Sequence, residues 1–483
     1  LHIQIWSLPD LKKLRYTMQN KKQKLVWILQ LVAFCWVIAP TKAGESTPYA
    51  QYGLGLLGDN NYVPSSSIGG LGAAYRSSEG LNFNNPASLS AISLTSFEVG
   101  VQGYLGSRKI NSGSAAIGGA GLDYMSIAFP VISKRWGMGI GLIPYSSKNS
   151  YSSDSISFGN QNGVIHNENN GSLYNFFWSN GVSYKDISVG FSLAYLFGNL
   201  SNNSLAYSLK DNILDYYGYG TWYYNTLQVR SLYMNFGAQY HKNFRYGSEN
   251  KKNLKLTIGV SGAPGYKLGK RSSIDEATLF VDTKYLGSKS DAQSYKDYLS
   301  DIYASYGSAF DTLSLSQGQA TEVHVPGYIQ AGFTLADSNR WLAGFDFRYQ
   351  PWSKYSGYGI RDGITLQNSW RVGLGGEILP STKPDARFFS KIKYRTGFFY
   401  ERTNLQFSSN PINEFGINVG FGIPIIVRLY DEYNTRRFVY AFNLSIEAGS
   451  RGTLNNNLIR ENFARLKFGV NLNSAWFQKR KYY

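Results

Sequence analysis

The chain predicts an all-β protein, and within that class a transmembrane antiparallel β-barrel of about 14 strands preceded by a plug segment. Three observations carry the prediction. Most of the chain alternates with period two, its composition is rich in aromatics and glycine but poor in charge, and the apolar face of the clearest strands is free of charge. The 483 residues include 38 Tyr, 28 Phe, 10 Trp and 51 Gly, and only 16% are charged. Aromatic side chains fit pleated surfaces, and glycine interrupts helices. An apolar content of 43% excludes a disordered chain. A bundle of membrane helices is excluded too, because each would need roughly 20 consecutive apolar residues.

The first 43 residues read as targeting. Residue 1 is Leu, and Met18 is taken as the initiator; Lys21, Lys22 and Lys24 precede an apolar run over 25–38, and Thr41-Lys42-Ala43 supplies a small-residue cleavage site. Cys35 is not read as a lipidation site, because bulky Phe34 precedes it and apolar sequence continues past it. Cleavage after Ala43 leaves 440 residues without cysteine and lowers the net charge from +17 to +11. A cysteine-free exported chain is not a disulfide scaffold. No dense basic cluster or nucleic-acid-binding motif accompanies the excess charge, so the expected partner is an anionic membrane surface, outer-membrane lipid and lipopolysaccharide, and no nucleic acid.

The strands follow in order. Trp136, Met138, Ile140 and Leu142 alternate with Gly137, Gly139 and Gly141; Leu232, Met234, Phe236, Ala238 and Tyr240 alternate with smaller or polar residues; so do Trp341, Ala343, Phe345, Phe347 and Tyr349. The same rhythm holds near 97–105, 189–197, 254–260, 325–335, 370–378, 392–400, 415–423, 438–448 and 466–472. Several are about nine or ten residues long, enough to cross a bilayer at a tilt of about 45°. Ile140 and Phe345 are assigned to lipid. The opposite face carries the charges, and Arg348, Arg371, Glu377, Lys393 and Arg395 are the candidates for the lumen. Tyr104, Tyr145, Tyr195, Phe197, Tyr240, Tyr349, Trp352, Trp476 and Phe477 lie near strand ends, where an interfacial girdle belongs. The stretches 199–230 and 267–321 read as external loops, and aromatic spacing within 291–307 predicts a short helix capping the barrel mouth.

The segment 44–92 differs in kind. It holds Gly69-Gly70-Leu71-Gly72 and then Glu79-Gly80-Leu81-Asn82-Phe83-Asn84-Asn85-Pro86-Ala87. The glycine cluster lacks the Lys-Ser/Thr of a phosphate loop and reads as a turn or a close backbone approach. With the motif Asn85, Pro86, Ala87, and with the later stretches 325–328, 341–352 and 371–377, the chain resembles the long-chain fatty acid transporter (FadL-like) family of outer-membrane barrels. The resemblance implies a hatch over 44–92, a barrel over 93–483, and a hydrophobic small molecule as ligand. The ending, residues 447–453, a last strand near 466–472 and a basic tail of Lys479, Arg480 and Lys481, resembles barrels of Bacteroidota. Some of those are accessory subunits of secretion or assembly machines.

Two functions stay open on these grounds. One is passive transport of hydrophobic molecules across the outer membrane through a hatch-gated barrel; the other is a non-transporting barrel in an outer-membrane protein complex. An enzyme is not expected, since no nucleophile motif stands out. No cofactor is expected either, and His166, His241 and His324 lack metal-ligand spacing.

Overall fold

The computed structural model describes residues 46–474 apart from 79, 112, 159–160, 211–212, 215–217, 247–251, 269–271, 287–294, 321, 338–339, 360–363, 384, 408 and 432–433. The expectations for the leader 1–43, Glu79, Trp476, Phe477 and the basic tail fall outside these residues.

Fourteen strands form the barrel. They are β1 (Thr95–Ile110), β2 (Gly113–Ile132), β3 (Trp136–Ser147), β4 (Gln161–Tyr184), β5 (Ile187–Lys210), β6 (Tyr219–Tyr246) and β7 (Lys252–Ala263). Then come β8 (Tyr328–Asp337), β9 (Trp341–Gln350), β10 (Ser369–Ile378), β11 (Lys393–Phe407), β12 (Asn410–Asp431), β13 (Asn434–Gly452) and β14 (Arg460–Ser474). Each pairs antiparallel with the next. The last pairs with the first from Thr95↔Ser474 to Lys109↔Arg460, and the ring is closed. Closure pairs the backbone of the wall strands, as the hydrocarbon layer requires, around the ring except along one stretch between β2 and β3.

The two faces of the wall are the inverse of a soluble protein's. Met234, Phe236, Ile258, Phe333, Leu374, Ile417 and Leu466 are exposed on the outside, whereas Glu98, Asn235, Gln239, Asp346, Arg395, Asn418 and Lys467 are buried inside. Ile140 is 38% exposed, and Phe345 pairs laterally with exposed Phe333 and Leu374. The alternation read from sequence therefore points the way a lipid-facing barrel needs.

Strand length is uneven around the ring. Strands β8, β9 and β10 have 10 residues each, but β4 and β5 have 24 and β6 has 28. About ten tilted residues suffice for a hydrocarbon core of about 30 Å, so β4–β6 continue well past it. A strand at Ser150–Phe158 extends this sheet on one side, and a hairpin of Ser273–Asp282 and Phe310–Ala320 extends it on the other. The expected loop at 199–230 is thus largely strand, and 267–321 contains the two strands of that hairpin and a helix.

A short helix does occur in 291–307, and the structure moves it. With α1 at Val63–Ser66 in the N-terminal segment, α2 is Tyr295–Ser305. Leu299 and Ile302 of α2 pack with Leu205, Trp222, Leu279 and Val281, which continue the outward face of the sheet. The helix covers the side of the extension and not the barrel mouth. Three of the aromatics expected in the girdle are also inside. Tyr104 stacks on Phe463, Tyr145 is bonded to Tyr266, and Trp352 is buried beside Tyr355. Position near a strand end does not separate an inward ring from an outward one where a bulge, such as that between Pro144 and Ser146, shifts the alternation.

The face assignment makes a sharp contrast. Ile140→Arg places a charge against lipid and is expected to cost about 2–4 kcal/mol near the midplane. It should be read as loss of the heat-modifiable folded band on SDS gels and a lower urea midpoint. Gly344→Arg should also fail, but for a different reason, since a side chain at Gly344 meets Leu71 inside the barrel. An Ile140→Arg variant as stable as the parent would overturn the assignment.

Candidate functional site

The segment 47–94 runs inside the ring and lies against its wall backbone to backbone. At the contact points the wall residue is glycine. A side chain at Gly181 would overlap the Pro86 carbonyl, at Gly237 the Asn85 side chain, at Gly259 the Ala73 carbonyl, and at Gly375 the Ile68 carbonyl. The inward glycines that alternate with large outward residues are therefore space for the segment. The segment answers in kind at Gly69, whose φ is +75° and whose missing side chain would strike the Leu374 and Phe398 carbonyls.

Hydrogen bonds fix this contact. The N–H groups of Gly72 and Ala73 both donate to Asp346 Oδ2 on β9, the latter at 2.9 Å, and Leu81 N–H donates to Glu98 on β1 at 3.1 Å. Gln239 of β6 donates to the Ala73 carbonyl at 3.0 Å. Arg76 donates to Ser188 at 3.0 Å and to Gln239 at 3.2 Å. Buried carboxyl oxygens that accept backbone N–H groups satisfy donors the segment would otherwise leave unpaired.

The motif Asn85-Pro86-Ala87 sits at the centre of this arrangement. Asn85 caps a short 3-10 helix, Pro86–Ala91, accepting from Ala87 N–H at 3.0 Å, and Pro86 supplies the fixed φ of its first position. The other end of the amide donates to the carbonyls of Ala73 at 2.6 Å, Val260 at 3.2 Å and Ala238 at 3.3 Å. One side chain thus ties the segment to itself and to β6 and β7.

The five charged candidates lie on the inner side of β9–β11. Arg371 pairs with Glu401 at 2.9 Å and covers the Phe399 ring at 3.9 Å. Arg395 pairs with Glu377 at 2.6 Å and also reaches Asn443, while Lys393 stands 4.0 Å from Glu377. Arg348 is apart from these, 4.4 Å over the Tyr328 ring. A second ladder continues across β12–β14 through Glu414, Arg451, Arg465, Glu447 and Glu461. The N-terminal segment joins it where Lys467 binds both Asp59, at 3.2 Å, and Asp123, at 3.3 Å. Burial would raise the Asp59 carboxyl, but Lys467, with Arg371 and Arg465 behind it, holds it below the usual carboxylate range. Asp59, Glu98, Asp123 and the role of Asp346 were not legible beforehand. An isolated acid in an inward strand position is the signal that Asp346 does offer.

Among the described residues no group of His, Cys, Asp or Glu has the form of a metal site. His166 lies between Tyr151 and Tyr207, and His324 contacts the Lys354 carbonyl.

Beside Asn84 a small cavity is lined by Phe83, Ile143, Phe177, Tyr145, Tyr233 and Arg348 among others. Beside it the wall is incomplete. Pairing of β2 with β3 runs only from Ile132↔Trp136 to Met125↔Leu142, although β2 extends back to Gly113 and β3 on to Ser147. Past the last pair, β3 takes its partner from the N-terminal segment: Leu57↔Ser146 and Leu56↔Ser147, with Gly58 N–H donating to the Tyr145 carbonyl at 2.8 Å. A two-residue strand of the segment closes the seam that β2 leaves.

A closed 14-stranded barrel, apolar outside and filled by an N-terminal segment, defines an outer-membrane-type β-barrel with the FadL fold. The chain belongs to the BamG family, whose model matches residues 21–483. Among solved structures it is similar to the Ralstonia pickettii toluene transporter TbuX, at 13% identity and a TM-score of 0.50, covering 86% of this chain and 98% of that one. It is also similar to a Pseudomonas aeruginosa FadL homologue, at 12% identity and a TM-score of 0.51, covering 91% and 100%. At such identities the likeness is one of fold. No curated protein matches the sequence.

The glycine contacts can be tested one at a time. Gly259→Val puts a branched side chain where the Ala73 carbonyl lies. It should lower the unfolding midpoint by an amount equivalent to about 1–3 kcal/mol, the usual cost of overpacking. It should also make the segment 61–92 cleavable by added protease while the barrel band remains. Unchanged stability and unchanged protease resistance would show that the segment does not depend on this contact.

Proposed function

We propose that the protein is an outer-membrane channel that passes small apolar or amphipathic molecules sideways out of its lumen. The observation that carries this reading is the seam between β2 and β3, next to the aromatic cavity and covered by Leu56–Leu57. The solute enters from the rim with the long strands and rests above Asn84. It leaves between β2 and β3 when the short strand peels away from Ser146 and Ser147. The solute then reaches the bilayer without crossing the polar outer leaflet, and no energy source is needed. The floor formed by residues 61–92 stays in place, because Asp346, Glu98 and Asn85 hold it. The strip 54–60 is the moving part, held by buried Leu54, by two pairs of strand residues with the Gly58 N–H on Tyr145, and by Asp59 on Lys467. That a toluene transporter shares the fold supports this reading.

A second reading, an accessory barrel in an outer-membrane protein complex, is favoured by the extended sheet. Among the described residues its outer strands, Ser150–Phe158 and Phe310–Ala320, pair on one side only, and Leu313, Leu315, Tyr303 and Tyr306 are exposed. Unpaired edges and exposed aromatics are what a partner chain uses.

The seam gives the deciding test. In Leu57→Cys/Ser146→Cys the two residues are cross-strand partners, and oxidation should lock the strip shut. In cells with an intact lipopolysaccharide layer, uptake of labelled toluene should fall several-fold on oxidation and recover on reduction. Equal uptake in both states would overturn sideways passage, and stoichiometric partners retained in mild detergent would then favour the second reading.

A further inference from the structure

The cavity is not built for a plain hydrocarbon. Tyr233 and Tyr266 stack on each other at 4.7 Å, Tyr266 donates to Tyr145 at 3.2 Å, and Asn175 donates its amide N–H to the Tyr233 hydroxyl at 2.7 Å. Each of these groups thus has a partner. Three amide oxygens are left over. Asn175 Oδ1 and Asn235 Oδ1 have no hydrogen-bond partner, although the residues are only 4% and 7% exposed and both line the cavity. Asn60 Oδ1, on the strip that covers the seam, is in the same state. Leaving a buried acceptor without a donor is unfavourable, and a ligand that brings donors removes the penalty. Beside these oxygens, Phe83 and Phe177 provide ring edges and faces 5.6 Å apart between centroids.

We propose that the cavity selects small aromatic molecules bearing hydroxyl groups over unsubstituted hydrocarbons. The ring lies against Phe83 and Phe177, and the hydroxyls donate to the Asn175 and Asn235 oxygens. A site that offers hydrogen bonds rejects the analogue lacking the matching group more strongly than an apolar site rejects an added one. Discrimination therefore resides in these two amides. A ligand reaching Asn60 as well contacts the strip that must move, so the same donors that are recognised also bear on opening. This inference rests on the cavity lying on the route of passage, but the recognition it describes is measurable without transport.

The experiment is equilibrium binding to the purified full-length barrel folded in detergent, with catechol, toluene and benzoate as probes of one ring size. Catechol should bind saturably and at least tenfold more tightly than toluene. Asn235→Leu should abolish that preference, whereas Asn235→Asp, which still accepts, should keep it; Asn175→Leu provides an independent loss. Heat modifiability on SDS gels reports that each variant is folded. Toluene binding as tightly as catechol overturns the proposal with the parent protein alone. So does benzoate binding in preference to both, which would make Arg348 the selecting group, or catechol binding unchanged in folded Asn235→Leu. Failure of the seam-locking experiment with catechol selection intact would remove the exit route and leave the recognition site standing.

Discussion

Two backbones in direct contact organise this protein. The N-terminal segment can press its peptide groups against the barrel wall only because the wall offers glycine at Gly181, Gly237, Gly259 and Gly375. Any side chain there would push the segment into the lumen and separate the anchors from their acceptors. Asp346 reaches Gly72 and Ala73, and Asn85 reaches the carbonyls of β6 and β7, at distances that leave no room for a Cβ between the layers. The interior is therefore a packed core of polar wall and apolar plug, with Tyr62, Val63, Ile68, Leu71 and Leu89 clustered against Tyr124 and Phe177.

That core divides the segment into two parts with different prospects. Over 61–92 the chain is held by carboxylates, amides and close packing from most of the ring. Over 54–60 it runs along the free edge of β3 and contributes one buried ion pair, Asp59 with Lys467. The Asp59 carboxyl is held in its charged form, so the pair contributes above the ordinary carboxylate pKa and is lost only as pH falls through its depressed value. A ligand that competes for contacts of Asn60 is placed to act on this strip. The cavity, the seam and the strip meet at Ile143 and Tyr145, on the part of β3 that β2 no longer pairs.

The barrel itself was legible in the sequence because lipid and lumen impose opposite demands on neighbouring residues, and 136–142, 232–240 and 341–349 display the result directly. The charges of β9–β11 follow the same alternation, Arg371 and Arg395 meeting Glu401 and Glu377. What the alternation could not reveal is which small residues serve contact and which are merely small. Gly137 and Gly139 look alike in sequence, yet the first faces the Leu89 carbonyl and the second the Leu81 side chain. The extension of β4–β6 was hidden in part because one of its partners, Ser273–Asp282, comes only after β7 in the chain. Tyr145 and Trp352 were misplaced because burial there depends on a bulge or on loops that fold back, whereas Tyr104 simply takes the inward side of the alternation beside exposed Leu105. The seam was invisible altogether, since a missing strand pair leaves no residue pattern.

A fixed floor beside a movable strip is the core of the proposed passage, and amide hydrogen exchange on the folded barrel measures both at once. The amides of Gly72, Ala73, Leu81 and Ala87 should exchange as slowly as those of β12 and β13. Those of Leu56, Leu57 and Gly58 should exchange at least tenfold faster, and faster still when a ligand occupies the cavity. Uniformly slow exchange across 54–92 would describe a sealed barrel with no strip to open. Uniformly fast exchange across the same residues would mean that the glycine contacts do not hold the floor, and either result would contradict the account.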